Sequence, residues 1–188
     1  AAAQAERCRR AGDYRLWRLQ NGQGDPGDAL EAVRNYLQGE HWDAAAGLAG
    51  ALIQRLQGAG QSVSVAALAS EVLERLPEEH GSFYVLADAE ASAHLSLGVW
   101  QRGFERYQQM LAHFERLAKS EPERADYQMD LVVSYFKIAT ASTPPDRALL
   151  EKALTILLTL QEQGRLSPAD QPKIAALQQL LEGLDQQS

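Results

Sequence analysis

Gly22-Gln23-Gly24-Asp25-Pro26-Gly27 spells G-x-G-x-x-G. In dinucleotide sites that spacing lets backbone amides at a helix start hold a pyrophosphate, provided a strand leads in and no acid faces the anion. Here the flanking periodicity is helical and Asp25 and Asp28 would oppose a phosphate, so the segment reads as a loop. The four histidines, His41, His80, His94 and His113, have no partner at i+3 or i+4, which removes a helical zinc pair. Cys8 lies among Arg7, Arg9 and Arg10, a setting that favours thiolate, but no histidine is near it in sequence and it reads as an incidental thiol. One cysteine also excludes an internal disulfide and a thiolate zinc site. The carboxylate pairs Glu78/Glu79, Glu121/Glu123 and Asp126/Asp130 fall at helix ends or polar faces, where acids stabilise helix N-termini. No catalytic, cofactor-binding or metal-ligating residue is assigned, and the chain reads as non-enzymatic.

Charge narrows the partners. The chain of 188 residues carries −7. Residues 1–20 hold five arginines against Glu6 and Asp13, a balance of +3, which leaves −10 for the remainder. An acidic body repels phosphate backbones, so nucleic acid is not an expected partner. No apolar run is long enough to span a bilayer, and Ala1–Ala5 runs straight into charge, unlike a signal peptide. The expected location is cytoplasmic, with no membrane association. The chain opens without Met and reads as a piece of something larger.

The elements that must position any site are helical. There are 30 Ala and 27 Leu against 16 β-branched residues, which disfavours strands. Asp25-Pro26-Gly27-Asp28, Thr143-Pro144-Pro145-Asp146 and Ser167-Pro168-Ala169-Asp170 each give a capping residue, a proline and an acid three positions after the cap. Apolar spacing between such marks predicts helices over 4–20 (with Gly12 a candidate break), 27–38, 42–57, 63–76, 82–97, 99–119, 123–141, 145–163 and 168–184. Gln20–Gly24 and Gln57–Gln61 read as mobile, and helix 63–76 has no obvious mate. The stripe Trp100, Phe104, Tyr107 and Phe114 reads as core. Helices 27–38 and 42–57 form one hairpin, and 82–97 and 99–119 another. Gly39-Glu40-His41-Trp42 and Gly98-Val99-Trp100 each put an aromatic just after a turn glycine, with Gly12-Asp13-Tyr14 a degenerate third version. The glycines would take the left-handed conformation at the helix ends.

Recurrence of one hairpin marks a stacked-repeat protein. Leu97-Gly98-Val99-Trp100-Gln101-Arg102-Gly103-Phe104-Glu105-Arg106-Tyr107, with Ala87 and Ala91 in the preceding helix, resembles a tetratricopeptide repeat. Ala29, Ala32, Tyr36, Trp42, Ala45 and Ala49 are similar to an earlier unit. Residues 114–139 and the tail Gln163–Asp170 resemble arrays in large bacterial multidomain signalling proteins, where such repeats follow an NTPase or protease module. His94 falls where that family packs an aromatic, so a hydrogen-bonded packing histidine is expected.

The resemblance implies an all-α, tetratricopeptide-like solenoid of antiparallel hairpins, about three, plus a C-terminal capping helix. Residues 1–24 would be a basic helix and mobile loop, 25–166 the repeats and 167–188 the cap. The implied function is non-catalytic capture of a peptide or protein segment on a concave surface. Arg34, Asp88, Ser92 and Leu95 are carried over as groove contacts. Two alternatives differ in class: an intramolecular scaffold that regulates an attached effector domain, and a self-association module, since uncapped solenoids tend to form homo-oligomers. No cofactor is implied.

Overall fold

The computed structural model describes residues 2–186 and is all-helical over them. Nine helices are described: α1 (Ala2–Gln20), α2 (Pro26–Gln38), α3 (Trp42–Gly58), α4 (Ser62–Leu73), α5 (Phe83–Ser96), α6 (Trp100–Ser120), α7 (Ala125–Ala141), α8 (Arg147–Glu162) and α9 (Pro172–Asp185). They fall into two compact units, one ending at Gly103 and the other starting at Phe104. Ala1, Gln187 and Ser188, at the ends of the 1–24 and 167–188 segments, lie outside the described residues.

In the first unit each helix packs on its successor from α1 to α5, and α3 also touches α5. Alanine makes this close packing possible. Ala32, Ala45, Ala49, Ala69, Ala87 and Ala91 are wholly buried, interleaved with Val33, Val65, Val72 and Leu86. Small residues let helix axes approach, and each large neighbour then fills the groove so formed. Helix α4 has its mates in α3 and α5.

Helix α1 is continuous through the candidate break at Gly12. A Cβ there would stand 2.7 Å from the Tyr36 ring, so the missing side chain is where α2 docks. Tyr36 Oη donates to Asp13 at 2.9 Å, and Arg15 and Arg18 both donate to Asp28 at the start of α2. Asp28 is buried and completes a capping box with Asp25, whose side chain accepts from Gly27 N. These contacts tie the C-terminal half of the basic helix down.

Five helices end alike. After α1, α2, α3, α5 and α8 one amide bonds back five residues and the amide before it bonds inside that ring, the Schellman arrangement. Gln23 N to Arg18 O (2.9 Å) and Val99 N to His94 O (2.9 Å) are examples. The first closes Gln20–Gly24, expected to be mobile, onto its own helix. Gly22, Gly60, Gly98 and Gly164 supply the positive φ in four of the five. In the α2–α3 turn Glu40 supplies it (φ 57°), while Gly39 has φ −90°. The expectation for Gly39 was therefore one residue off. A Cβ on Gly39 would lie 2.9 Å from both Ala5 O and Cys8 Cβ of α1, so the glycine serves a close approach.

In the second unit α7 packs on α8 and α8 on α9. Helix α6 joins α7 through Tyr135 Oη, which donates to Glu115 at 2.8 Å. The core comes from Tyr107, Met110, Phe114 and Ala118 of α6, Leu131 and Ile138 of α7, Leu150, Leu157 and Leu160 of α8, and Ile174, Leu177 and Leu181 of α9. Trp100, read as core, is 59% exposed, and the buried part of the α6 stripe starts at Tyr107. Two expected caps also move. Asp146 rather than Thr143 caps α8, accepting from Leu149 N, because a residue before proline is barred from the helical region at Pro144-Pro145. Helix α9 starts at Pro172, with Ser167–Gln171 in turns, because Pro172 has no N–H to continue a ladder from earlier residues.

The Gly39/Glu40 pair gives opposed expectations. Glu40→Gly relieves left-handed strain and raises stability by up to about 1 kcal/mol. Gly39→Ala forces α1 away and costs about 1–3 kcal/mol. Urea unfolding of both variants checks the pair, and a loss from Glu40→Gly refutes the assignment of the strained residue.

Candidate functional site

The face shared by α2 and α4 is the candidate interaction surface. Turns of three residues, 39–41 and 59–61, join α2 and α4 to α3, on which both pack. Arg34 joins them. Its Nε donates to Glu71 Oε1 at 2.7 Å and its Nη2 to Glu71 Oε2 at 3.0 Å, a two-point grip on one carboxylate. Its Nη1 donates to Glu31 at 2.7 Å. The two glutamates hold the guanidinium pKa above its usual range, Glu71 contributing most. The Arg34 hydrogen bonds in turn hold Glu71 below the usual carboxylate range, with burial opposing. One turn back on the same stripes stand Leu30 and Ala67, and two turns back Val63, all exposed. The face thus combines a charged strap with apolar patches beside it.

Asp88, Ser92 and Leu95 lie on successive turns of one stripe of α5, each half-buried. A Cβ on Gly103 would meet the Leu95 side chain at 2.8 Å, so Leu95 covers the opening of α6. Arg34 has its partners on α2 and α4, whereas α5 packs on α3 and α4. The structure therefore keeps the three α5 residues on one stripe and sets Arg34 with Glu31 and Glu71. Glu71, 37 residues from Arg34, carries no local sequence signal of its role.

The histidines of the first unit, Glu90 and Cys8 sit in packing contacts. His41 Nε2 donates to Ala5 O at 3.1 Å and fastens the α2–α3 turn to α1. His80 Nδ1 accepts from Ser82 N at 3.1 Å, so Nε2 carries the proton that reaches Asp43 at 3.1 Å. Between α4 and α5, Ser70 donates to the buried Glu90 carboxylate, and His94 Nε2 stands 4.0 Å from the same oxygen. His94 Nδ1 is buried without a hydrogen-bond partner, unlike the bonded histidine expected there. Cys8 is buried against Gly39. Gly22–Gly24 turn back onto α1 while Pro26 and Gly27 open α2, and a Cβ on Gly24 would meet Leu19 N at 2.9 Å. Among the described residues no three His, Cys, Asp or Glu are placed to hold a metal ion, and no helix is long and apolar enough to cross a membrane.

No family model, curated protein or solved structure matches the chain.

The strap has a testable sign. Arg34→Glu and Glu71→Arg each lower stability by up to about 1 kcal/mol, the range for exposed ion pairs, and the double reversal restores most of it. Because the folded-state pKa of Glu71 is depressed, the strap's contribution is complete above the ordinary glutamate value near 4.5 and fades as pH falls below it. Urea unfolding at pH 7 and about pH 3.5 reads both effects, and a double reversal no better than the single variants removes the coupling.

Proposed function

We propose that the chain is a tetratricopeptide-like solenoid segment, with about three hairpins and a closing C-terminal helix, that binds a peptide or protein segment without catalysis of its own. The observation that supports this reading is the contact between alternate helices. Arg34 links α2 to α4 while α3 reaches α5, so alternate helices meet as they do in stacked hairpins. Stacking of that kind leaves one set of alternate helices lining a continuous surface. On α2 and α4 that surface offers the Arg34 strap for a polar backbone or charged side chain, and Leu30, Ala67 and Val63 for apolar ones. Asp88, Ser92 and Leu95 form a stripe on α5, which belongs with α3 to the other set of alternate helices. The chain would act in the cytoplasm, as part of a larger bacterial signalling protein, with its partner either a separate polypeptide or an attached effector domain.

A second reading, self-association, is favoured by α1. Tyr14 and Trp17 are stacked, with ring centroids 6.1 Å apart, and are 60% and 48% exposed. Concentration-dependent sedimentation that Trp17→Ala abolishes would favour it over the peptide-binding reading.

Selection of a random peptide library on the full chain tests the principal reading. Peptides recovered on the α2–α4 face lose roughly tenfold or more in affinity with Ala67→Arg, a charge placed on that face, and none with Ala175→Arg on the exposed side of α9. Equal losses from both variants, or none from Ala67→Arg, would place binding elsewhere and end the proposal.

A further inference from the structure

The second unit holds a cleft of about 270 Å³ where the α6–α7 turn faces the C-terminal half of α8. It is independent of the α2–α4 face. Its cationic residue is Arg165, set just beyond α8 by the left-handed Gly164 and by Arg165 N bonding back to Leu160 O at 2.8 Å. Nη1 donates to Gln163 Oε1 at 2.6 Å and Nη2 to Pro122 O at 3.3 Å, so two neutral acceptors hold the guanidinium in place. The side chain is 23% exposed. Across from it Glu123 is 90% exposed, and its carboxylate stands 3.6 Å from Nη1, beyond hydrogen-bond length. A fixed cation and a loosely held anion therefore share one small cleft.

The α8 wall adds two chemistries on adjacent stripes. Thr155 and Thr159 donate their hydroxyl hydrogens to Glu151 O and Thr155 O at 2.8 and 2.9 Å. Each oxygen keeps lone pairs able to accept, on residues that line the cleft. Ile156 and Leu160 form the neighbouring apolar stripe. A ligand that satisfies all of this carries a carboxylate, a hydrogen-bond-donating cation and a short apolar body. The volume lies below the roughly 300–1,000 Å³ of drug-sized sites, which confines the ligand to a small one.

We propose that this cleft binds a free apolar α-amino acid. Its carboxylate takes the two-point face of Arg165, its ammonium lies between Glu123 and the Thr155 and Thr159 oxygens, and its side chain rests on Ile156 and Leu160. Glu123 turns from its loose contact with Arg165 to the ammonium, so each charge of the pair gains a closer partner.

Calorimetric titration of the full chain with L-valine, N-acetyl-L-valine and L-valinamide is the test. L-valine binds saturably at millimolar concentration, and each blocked derivative binds weaker by roughly tenfold or more, because each lacks one of the two charges. Arg165→Gln and Glu123→Gln both weaken L-valine by a similar factor. Glu123, at the surface, tolerates its change without loss of helical circular dichroism. No saturable binding of L-valine, equal binding of either blocked derivative, or indifference to Glu123→Gln overturns the proposal. None of these results bears on the α2–α4 face, whose test uses other residues.

Discussion

The fold rests on how closely one helix can lie on the next. A helix exposes one apolar stripe, and helices joined by turns this short cover it with the immediate neighbour. Where a neighbour approaches, the chain places residues with little or no side chain. Gly12 sits under the Tyr36 ring, Gly39 under the Ala5 carbonyl and Cys8, Gly103 under Leu95, and six alanines are fully buried in the first unit. Enlarging any of the three glycines pushes a whole helix, because backbone or ring atoms stand less than 3 Å away. Stability of this kind comes from fit between adjacent helices and offers little tolerance for added volume.

The same constraint explains the turns. Helices that reverse within three or four residues need one left-handed position, and glycine usually takes it. In the α2–α3 turn the preceding position has the stronger claim on glycine, since α1 leaves no room for a Cβ there. Glu40 therefore carries the unusual φ. One turn thus meets two demands with one glycine, and the conformational one is the demand left unmet.

Helix existence and approximate extent were legible because the apolar spacing and the proline-marked starts are local properties. Asp25 caps α2 as the pattern predicts, and Asp28 adds a bond back to the Asp25 amide that the pattern does not predict. The errors share a physical origin. Thr143 and Ser167 look like caps, but Pro145 and Pro172 dictate where a helical ladder can begin. Gly12 looks like a breaker because its partner ring lies 24 positions away in sequence, and Trp100 looks like core because helical spacing does not say where a covered stripe starts. At the candidate site Arg34 comes only from the family resemblance, and Glu71 from neither the resemblance nor the residue pattern, since nothing near either residue encodes a contact across 37 positions. The cleft around Arg165 is of the same kind, assembled from the α6–α7 turn, α8 and the residues after it.

The arginines of α1 bear on how anything approaches the molecule. Arg9 and Arg10 are engaged by Glu6, Arg9 also by Asp13, and Arg15 and Arg18 by the buried Asp28. Four of the five arginines in that helix are thus ion-paired at contact range, but with only three carboxylates, so a surplus of +2 remains there against −9 on the rest of the chain. What reaches a distant molecule is the uncompensated surplus of acid on the rest of the chain. Encounter rates with cationic partners should therefore exceed those with anionic ones and fall as salt is added, even for a partner that finally docks beside α1.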